Sequence, residues 1–157
     1  MKATKKILAL SLALMMALSC MAPALAAGSR FTYTRNGETH EMSVCYFDAE
    51  GNPIRTRDAY FPADSIARFG ENNGDPIYLE EGEVARATFT LTSAAPLEIG
   101  YEMDGGSYHR IMRTSASKTT HSATLEVTES GEYYFILKNI SGRDLYISSA
   151  GWDISRG

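Results

Sequence analysis

The chain predicts an all-β fold, an antiparallel β-sandwich of about eight strands with jelly-roll-like topology, and a small β-barrel is the alternative. Three observations carry this reading. Apolar residues recur at every second position through a series of short runs, the period of a half-buried strand. Clusters of Gly, Asn, Asp and Ser separate those runs, as turns require. Beyond the first residues, no long segment carries the spacing of an amphipathic helix.

Residues 1–26 stand apart from the strand series. Lys2, Lys5 and Lys6 precede an uncharged apolar run from Ile7 to Leu18, and Ala24-Leu25-Ala26 supplies a small-x-small cleavage pattern. Together they read as a secretory signal peptide of bacterial look. The run falls short of the roughly 20 apolar residues of a membrane span. The expected plan is therefore a signal peptide over 1–26 and a single sandwich domain over 27–157, secreted, with no membrane span after cleavage. Cys20 offers an alternative, a lipid anchor. The residue three before it is Ala17 rather than the usual Leu, and the site at Ala26 is the better one.

Removing the leader takes three lysines from a chain of formal net charge −4, leaving −7. An acidic surface repels phosphate backbones, which excludes nucleic acid as the expected partner. Of the two cysteines, Cys20 lies in the leader, so Cys45 has no intramolecular mate and the core must supply the stability.

The strands follow in order. Phe31 to Thr34 alternates, Asn36-Gly37 is the preferred pair for a type I′ turn, and Met42, Val44 and Tyr46 share a face of the next run. That is a hairpin. Residues 54–76 are irregular, and Pro62 to Phe69 is read as a short helical turn before a Gly/Asn/Asp loop. From Val84, Ala85, Ala87, Phe89 and Leu91 alternate with Arg86, Thr88 and Thr90. Leu97, Ile99, Tyr101 and Met103 then alternate with Glu98, Gly100, Glu102 and Asp104. Asp104-Gly105-Gly106 turns into Tyr108 to Met112. Ala123, Leu125 and Val127 point inward from the run after His121. In the run Glu132 to Asn139, Tyr133, Phe135 and Leu137 face one way and Tyr134 and Ile136 the other. Apolar residues on both faces predict a central, doubly covered strand. Leu145 to Ile154 closes the fold.

Residues 121–154, which run His-Ser-Ala-Thr-Leu-Glu-Val-Thr-Glu-Ser-Gly-Glu-Tyr-Tyr-Phe-Ile-Leu-Lys-Asn and onward, resemble the C-terminal half of bacterial extracellular β-sandwich accessory domains of the pre-peptidase C-terminal family. The resemblance implies a sandwich that accompanies secreted enzymes. It carries over no catalytic residue.

Candidate chemistry is sparse. His40-Glu41 begins like a zinc-protease helix, but Val44 stands where the second His belongs and the segment reads as strand. His40, His109 and His121 show no ligand spacing. Asp104, Ser107 and His109 lie close at a hairpin tip, which turn chemistry explains better than a triad does. Asp48, Glu50 and Asn52, and the run Glu71 to Asp75, are read as solvated turns. The alternative is a low-affinity calcium site, and no other cofactor is expected. Asn139-Ile140-Ser141 matches a glycosylation acceptor, to which a bacterial leader gives little weight. Cys45 shares a face with Ser43 and Phe47, where a second packed surface competes with an intermolecular disulfide. Among the aromatics, Tyr101, Tyr133 and Trp152 fit the core. Tyr60, Tyr78, Tyr108 and Tyr134 are the candidate binding residues, since flat rings at a surface suit sugars. The expected function is a secreted non-catalytic module that binds an extracellular glycan or protein, or acts as an accessory factor. The alternatives are a small secreted hydrolase assembled only in the fold and a structural or assembly component of the cell surface.

Overall fold

A computed structural model describes residues 31–157 except Arg57, Asp58 and Asp104. The expected leader and its expected cleavage site, Cys20, and the Asp104 of the hairpin tip lie outside the described residues. The strands are β1 (Phe31–Arg35), β2 (Glu38–Phe47), β3 (Pro53–Ile54), β4 (Tyr60–Phe61), β5 (Ile66–Glu71) and β6 (Ile77–Leu79). They continue with β7 (Glu83–Leu91), β8 (Leu97–Met103), β9 (Tyr108–Arg113), β10 (Thr120–Glu126), β11 (Gly131–Asn139) and β12 (Leu145–Arg156).

The predicted sandwich forms. Its hydrogen-bonded order is β10-β7-β12-β1-β2-β5-β11-β8-β9. β2 changes layer along its length. Glu38 to Glu41 pair with β1, and Met42 to Phe47 pair with β5. The first layer, sheet A, holds β10, β7, β12, β1 and the start of β2. The second, sheet B, holds the rest of β2, then β5, β11, β8 and β9. Among the described residues no ladder joins β9 to β10, so the alternative, a closed barrel, does not form. One pairing departs from the antiparallel expectation: β1 runs parallel to β12, with Tyr33 opposite Trp152.

The first hairpin turns at Asn36 (φ 54°) and Gly37 (φ 81°). Positive φ at both central residues is the type I′ geometry expected of Asn-Gly. The helical turn read at Pro62 to Phe69 does not form. Asp64 sits at φ 53°, and the Ser65 hydroxyl donates to the Pro62 carbonyl at 2.7 Å. This tight turn points the chain into β5, so Ala67 and Phe69 enter the core as strand residues.

Alternation does the rest. Ala85, Ala87, Phe89 and Leu91 of β7 and Ala150, Trp152 and Ile154 of β12 are buried from sheet A. Ala67, Phe69, Leu97, Ile99, Tyr133, Phe135 and Leu137 are buried from sheet B. Trp152 ties the layers together: its ring lies 4.7 Å from Phe135 and 5.1 Å from Phe69 across the interface, and 4.8 Å from Phe89 within its own sheet. Such ring pairs each add about 0.5–1.5 kcal/mol beyond the area they bury.

Two polar ties hold the ends. Arg35 grips the buried Glu83 with two hydrogen bonds, Nε to Oε1 at 3.0 Å and Nη2 to Oε2 at 2.5 Å. Burial alone would raise the Glu83 pKa, but the Arg35 hydrogen bond and charge, the Glu80 backbone amide and the Arg156 charge together outweigh it, and the carboxyl sits below its usual range. Asn139 is only 2 % exposed. Its amide donates to the carbonyls of Phe61, Pro62 and Arg143, and its Oδ1 accepts from Ser141. A side chain so engaged is a clamp on the end of β11, and the acceptor pattern around it has no accessible amide.

Candidate functional site

The two outer faces of the sandwich are built from the residues that alternate out of phase with the core. On sheet A most of those residues are short. Ser122, Thr88, Gly151, Thr32 and Glu41 make one row across the sheet, and Thr124, Arg86, Asp153, Thr34 and Thr39 the next. Hydroxyls meet across strands, with Thr88 to Ser122 at 3.4 Å and Thr34 to Thr39 at 3.1 Å.

Sheet B carries larger groups in the same kind of rows. Cys45, Arg68, Ile136, Gly100 and Arg110 align across β2, β5, β11, β8 and β9. On one side of them lie Ser43, Gly70, Tyr134, Glu102 and Tyr108. On the other lie Phe47, Ile66, Lys138, Glu98 and Arg113. A bulge between Ile99 and Gly100 sets this register on β9, which puts Tyr108 and Arg110 on the outer side.

Arg68 sits at the centre. Its guanidinium carbon lies 4.7 Å from the centroid of the Phe47 ring and 5.0 Å from that of Tyr134, and Nη2 donates to Glu102 Oε2 at 2.9 Å. The rings hold the cation by its planar faces while the carboxylate fixes its rotation. The Tyr134 hydroxyl donates to the Gly74 carbonyl at 3.4 Å, pinning the loop that leads out of β5. Gly70 is needed beneath it: a Cβ there would stand 3.1 Å from Tyr134 Cε1 and would collide with the Asp75 carbonyl.

Tyr108 lies flat on the sheet. A Cβ on Gly100 would be 2.5 Å from its Cε2 and 2.8 Å from its Cζ, so the ring fills the space that glycine leaves. The Lys138 ammonium lies 3.6 Å from the ring centroid. Burial, reinforced by the Glu98 charge, pushes the Tyr108 phenol up to about 12, so it remains a hydrogen-bond donor at any physiological pH. Glu98 accepts from Arg110 at 3.2 Å. Ile136, between Arg68 and Gly100 in its row, is fully buried although it belongs to no inward position. Two polar atoms on this face, Tyr108 Oη and Arg68 Nε, are buried without a hydrogen-bond partner. Groups of that kind cost free energy unless something satisfies them.

The structure therefore brings together two of the four candidate tyrosines. Tyr134, Glu102 and Tyr108 are successive cross-strand neighbours. Tyr60 lies elsewhere, on β4. Its hydroxyl donates to Asp144 at 2.5 Å, its ring meets Tyr146 edge-on at 5.3 Å, and Tyr146 is 51 % exposed. Tyr78, also 51 % exposed, stands on β6. Sequence reasoning missed Arg68, Glu102, Lys138 and Phe47. The signal that marks them is their phase: each alternates away from the core in its own strand.

The other candidates fall apart in space. His40 stacks on Tyr33 at 4.8 Å and His109 on Tyr101 at 5.0 Å, while His121 is buried at the start of β10. Asp48 Oδ1 is occupied by the amides of Glu50 at 3.0 Å and Asn52 at 2.8 Å, and Asn73 Oδ1 by the Asp75 amide at 3.0 Å. Among the described residues no group of three or more His, Cys, Asp or Glu is placed to hold a metal ion, and no helix is long and apolar enough to cross a membrane. Cys45 is half-buried on the outer side of sheet B.

No protein-family model and no curated protein matches the chain. The likeness of residues 121–154 to pre-peptidase C-terminal modules thus rests on sequence pattern alone. Solved structures similar to the chain include carbohydrate-binding modules. One is a CBM4 structure, 14 % identical, with a TM-score of 0.45, covering 71 % of this chain and 94 % of that one. Another is a mutant of CBM29-2 from the family 29 carbohydrate-binding modules, 12 % identical, with a TM-score of 0.41, covering 69 % and 87 %.

Proposed function

We propose that this chain is a non-catalytic binding module that takes an extracellular glycan on the outer face of sheet B. Arg68, Tyr134, Glu102, Tyr108 and Lys138 form its centre. The observation that carries the reading is the aromatic and ionic cluster on this face, with Arg68 laid between Phe47 and Tyr134 and tied to Glu102, and Lys138 on the Tyr108 ring. A sugar presents a rim of hydroxyl groups, each both donor and acceptor. Such groups suit a surface of fixed donors and carboxylates on a rigid sheet, where little ordering accompanies binding. The ring edges of Tyr108, Tyr134 and Phe47 supply apolar contact for the sugar's C–H groups. In this reading the leader at 1–26 delivers the domain outside the cytoplasm, and the module needs no metal.

Binding to a glycan array by the chain, beside its Glu102→Gln variant, tests the proposal. Glu102 fixes the orientation of the Arg68 guanidinium through one charge-assisted hydrogen bond, and a pair as solvent-accessible as this one contributes only about 0–1 kcal/mol to folding. Affinity is expected to fall roughly tenfold or more while the unfolding midpoint stays close to the parent. Absence of any glycan bound, or equal affinity for the variant, overturns it.

A further inference from the structure

We infer that the glycan bound on sheet B is anionic, its carboxylate or sulfate groups seated beside Lys138 and Arg113. The inference rests on the proposed glycan-binding role and narrows it. Its basis is how charge is divided between the two outer faces. The outer side of sheet B holds Arg68, Arg110, Arg113 and Lys138 against Glu98, Glu102 and Glu132, an excess of one positive charge. The rows of sheet A hold Glu41, Asp153 and Glu126 against Arg86, an excess of two negative charges. A chain of net charge −4 therefore turns one cationic face outward.

The cations on that face are not equivalent. Arg68 and Arg110 each have a carboxylate, Glu102 at 2.9 Å and Glu98 at 3.2 Å. Lys138 and Arg113 flank Glu98 on the neighbouring strands, in register with it. Neither is within ion-pair distance of any carboxylate among the described residues; Glu98 is held by Arg110 instead. Lys138 rests on the Tyr108 ring at 3.6 Å, which holds its ammonium in place without neutralising it. Arg68 is likewise laid against Phe47 and Tyr134. The rings thus carry cations rather than standing open as stacking platforms for neutral sugar. Held guanidinium and ammonium groups with spare donors are the recognition chemistry of carboxylate and sulfate. A neutral glycan would leave that positive excess unanswered.

Calorimetric titration of the full chain with three probes tests the inference: polygalacturonate for a carboxylate source, chondroitin sulfate for a sulfate source, and xylohexaose as the neutral comparison. At least one anionic probe should bind at least about tenfold more tightly than xylohexaose at low salt, and the advantage should shrink as ionic strength rises from about 0.05 M to about 0.5 M, as screened contacts do. Arg113→Gln, at an exposed position outside the centre of the site, should weaken the anionic probe severalfold and leave xylohexaose unaffected, and Lys138→Gln should weaken the anionic probe by at least as much. Xylohexaose bound as tightly as either polyanion, with no salt dependence, overturns the anionic assignment and leaves the glycan-binding role standing. No binding of any probe, on an array or in solution, overturns both.

Discussion

The two outer faces of the sandwich follow one rule of alternation and come out differently. Sheet A turns Ser122, Thr88, Thr32 and their neighbours to solvent, short hydroxyl side chains that satisfy one another across strands. Sheet B turns out Arg68, Tyr134, Tyr108 and Lys138, long groups that lie on the sheet and bury Ile136 beneath them. A period of two says only that a strand has two sides. The size and charge of the out-of-phase residues separate a side that is merely wetted from one built into a layer.

The largest expected effect contrasts one buried methyl cluster with one exposed hydroxyl. Ile136→Ala removes a side chain that is fully covered on the outer side of β11 and should destabilise the domain by about 2–5 kcal/mol. Thr88→Ala, at the matching kind of position on sheet A, should change stability by about 0.5 kcal/mol or less. Equal denaturation midpoints for the two variants would mean that the layer over Ile136 is not packed and that the faces do not differ as described. Gly100→Ala sharpens the contrast at lower cost. The added methyl meets the Tyr108 ring and the His109 carbonyl, and overpacking of that order costs about 1–3 kcal/mol. The variant should also shift the Tyr108 phenol titration down toward its ordinary value as the ring lifts into water. An unchanged titration would show that the ring does not lie in the glycine gap.

The hairpin at Asn36-Gly37 and the runs through β7, β8 and β11 were legible because local chemistry decides them. A type I′ turn needs residues that tolerate positive φ, and a buried strand face needs every second residue apolar. β4 and β5 were not legible. Pro62-Ala63-Asp64-Ser65 has the composition of a helix start, and only the positive φ at Asp64, with the Ser65-to-Pro62 hydrogen bond, makes it a corner between strands. The candidate site divides the same way. Tyr108 and Tyr134 could be found as aromatics out of phase with a core. Arg68, Glu102 and Lys138 could not be joined to them, because their meeting depends on the order β5-β11-β8-β9, and alternation within a strand carries no information about which strands become neighbours.

The most direct test of the central claim is to map ligand contact residue by residue. Backbone amide chemical shifts of the chain, followed by NMR during addition of polygalacturonate oligomers, report which face the ligand touches. The largest changes are expected at Arg68, Glu102, Tyr108, Arg113, Tyr134 and Lys138, with the amides of Thr88, Ser122 and Thr32 unmoved. Changes concentrated on β7, β10 and β12 instead would contradict the assignment of binding to sheet B.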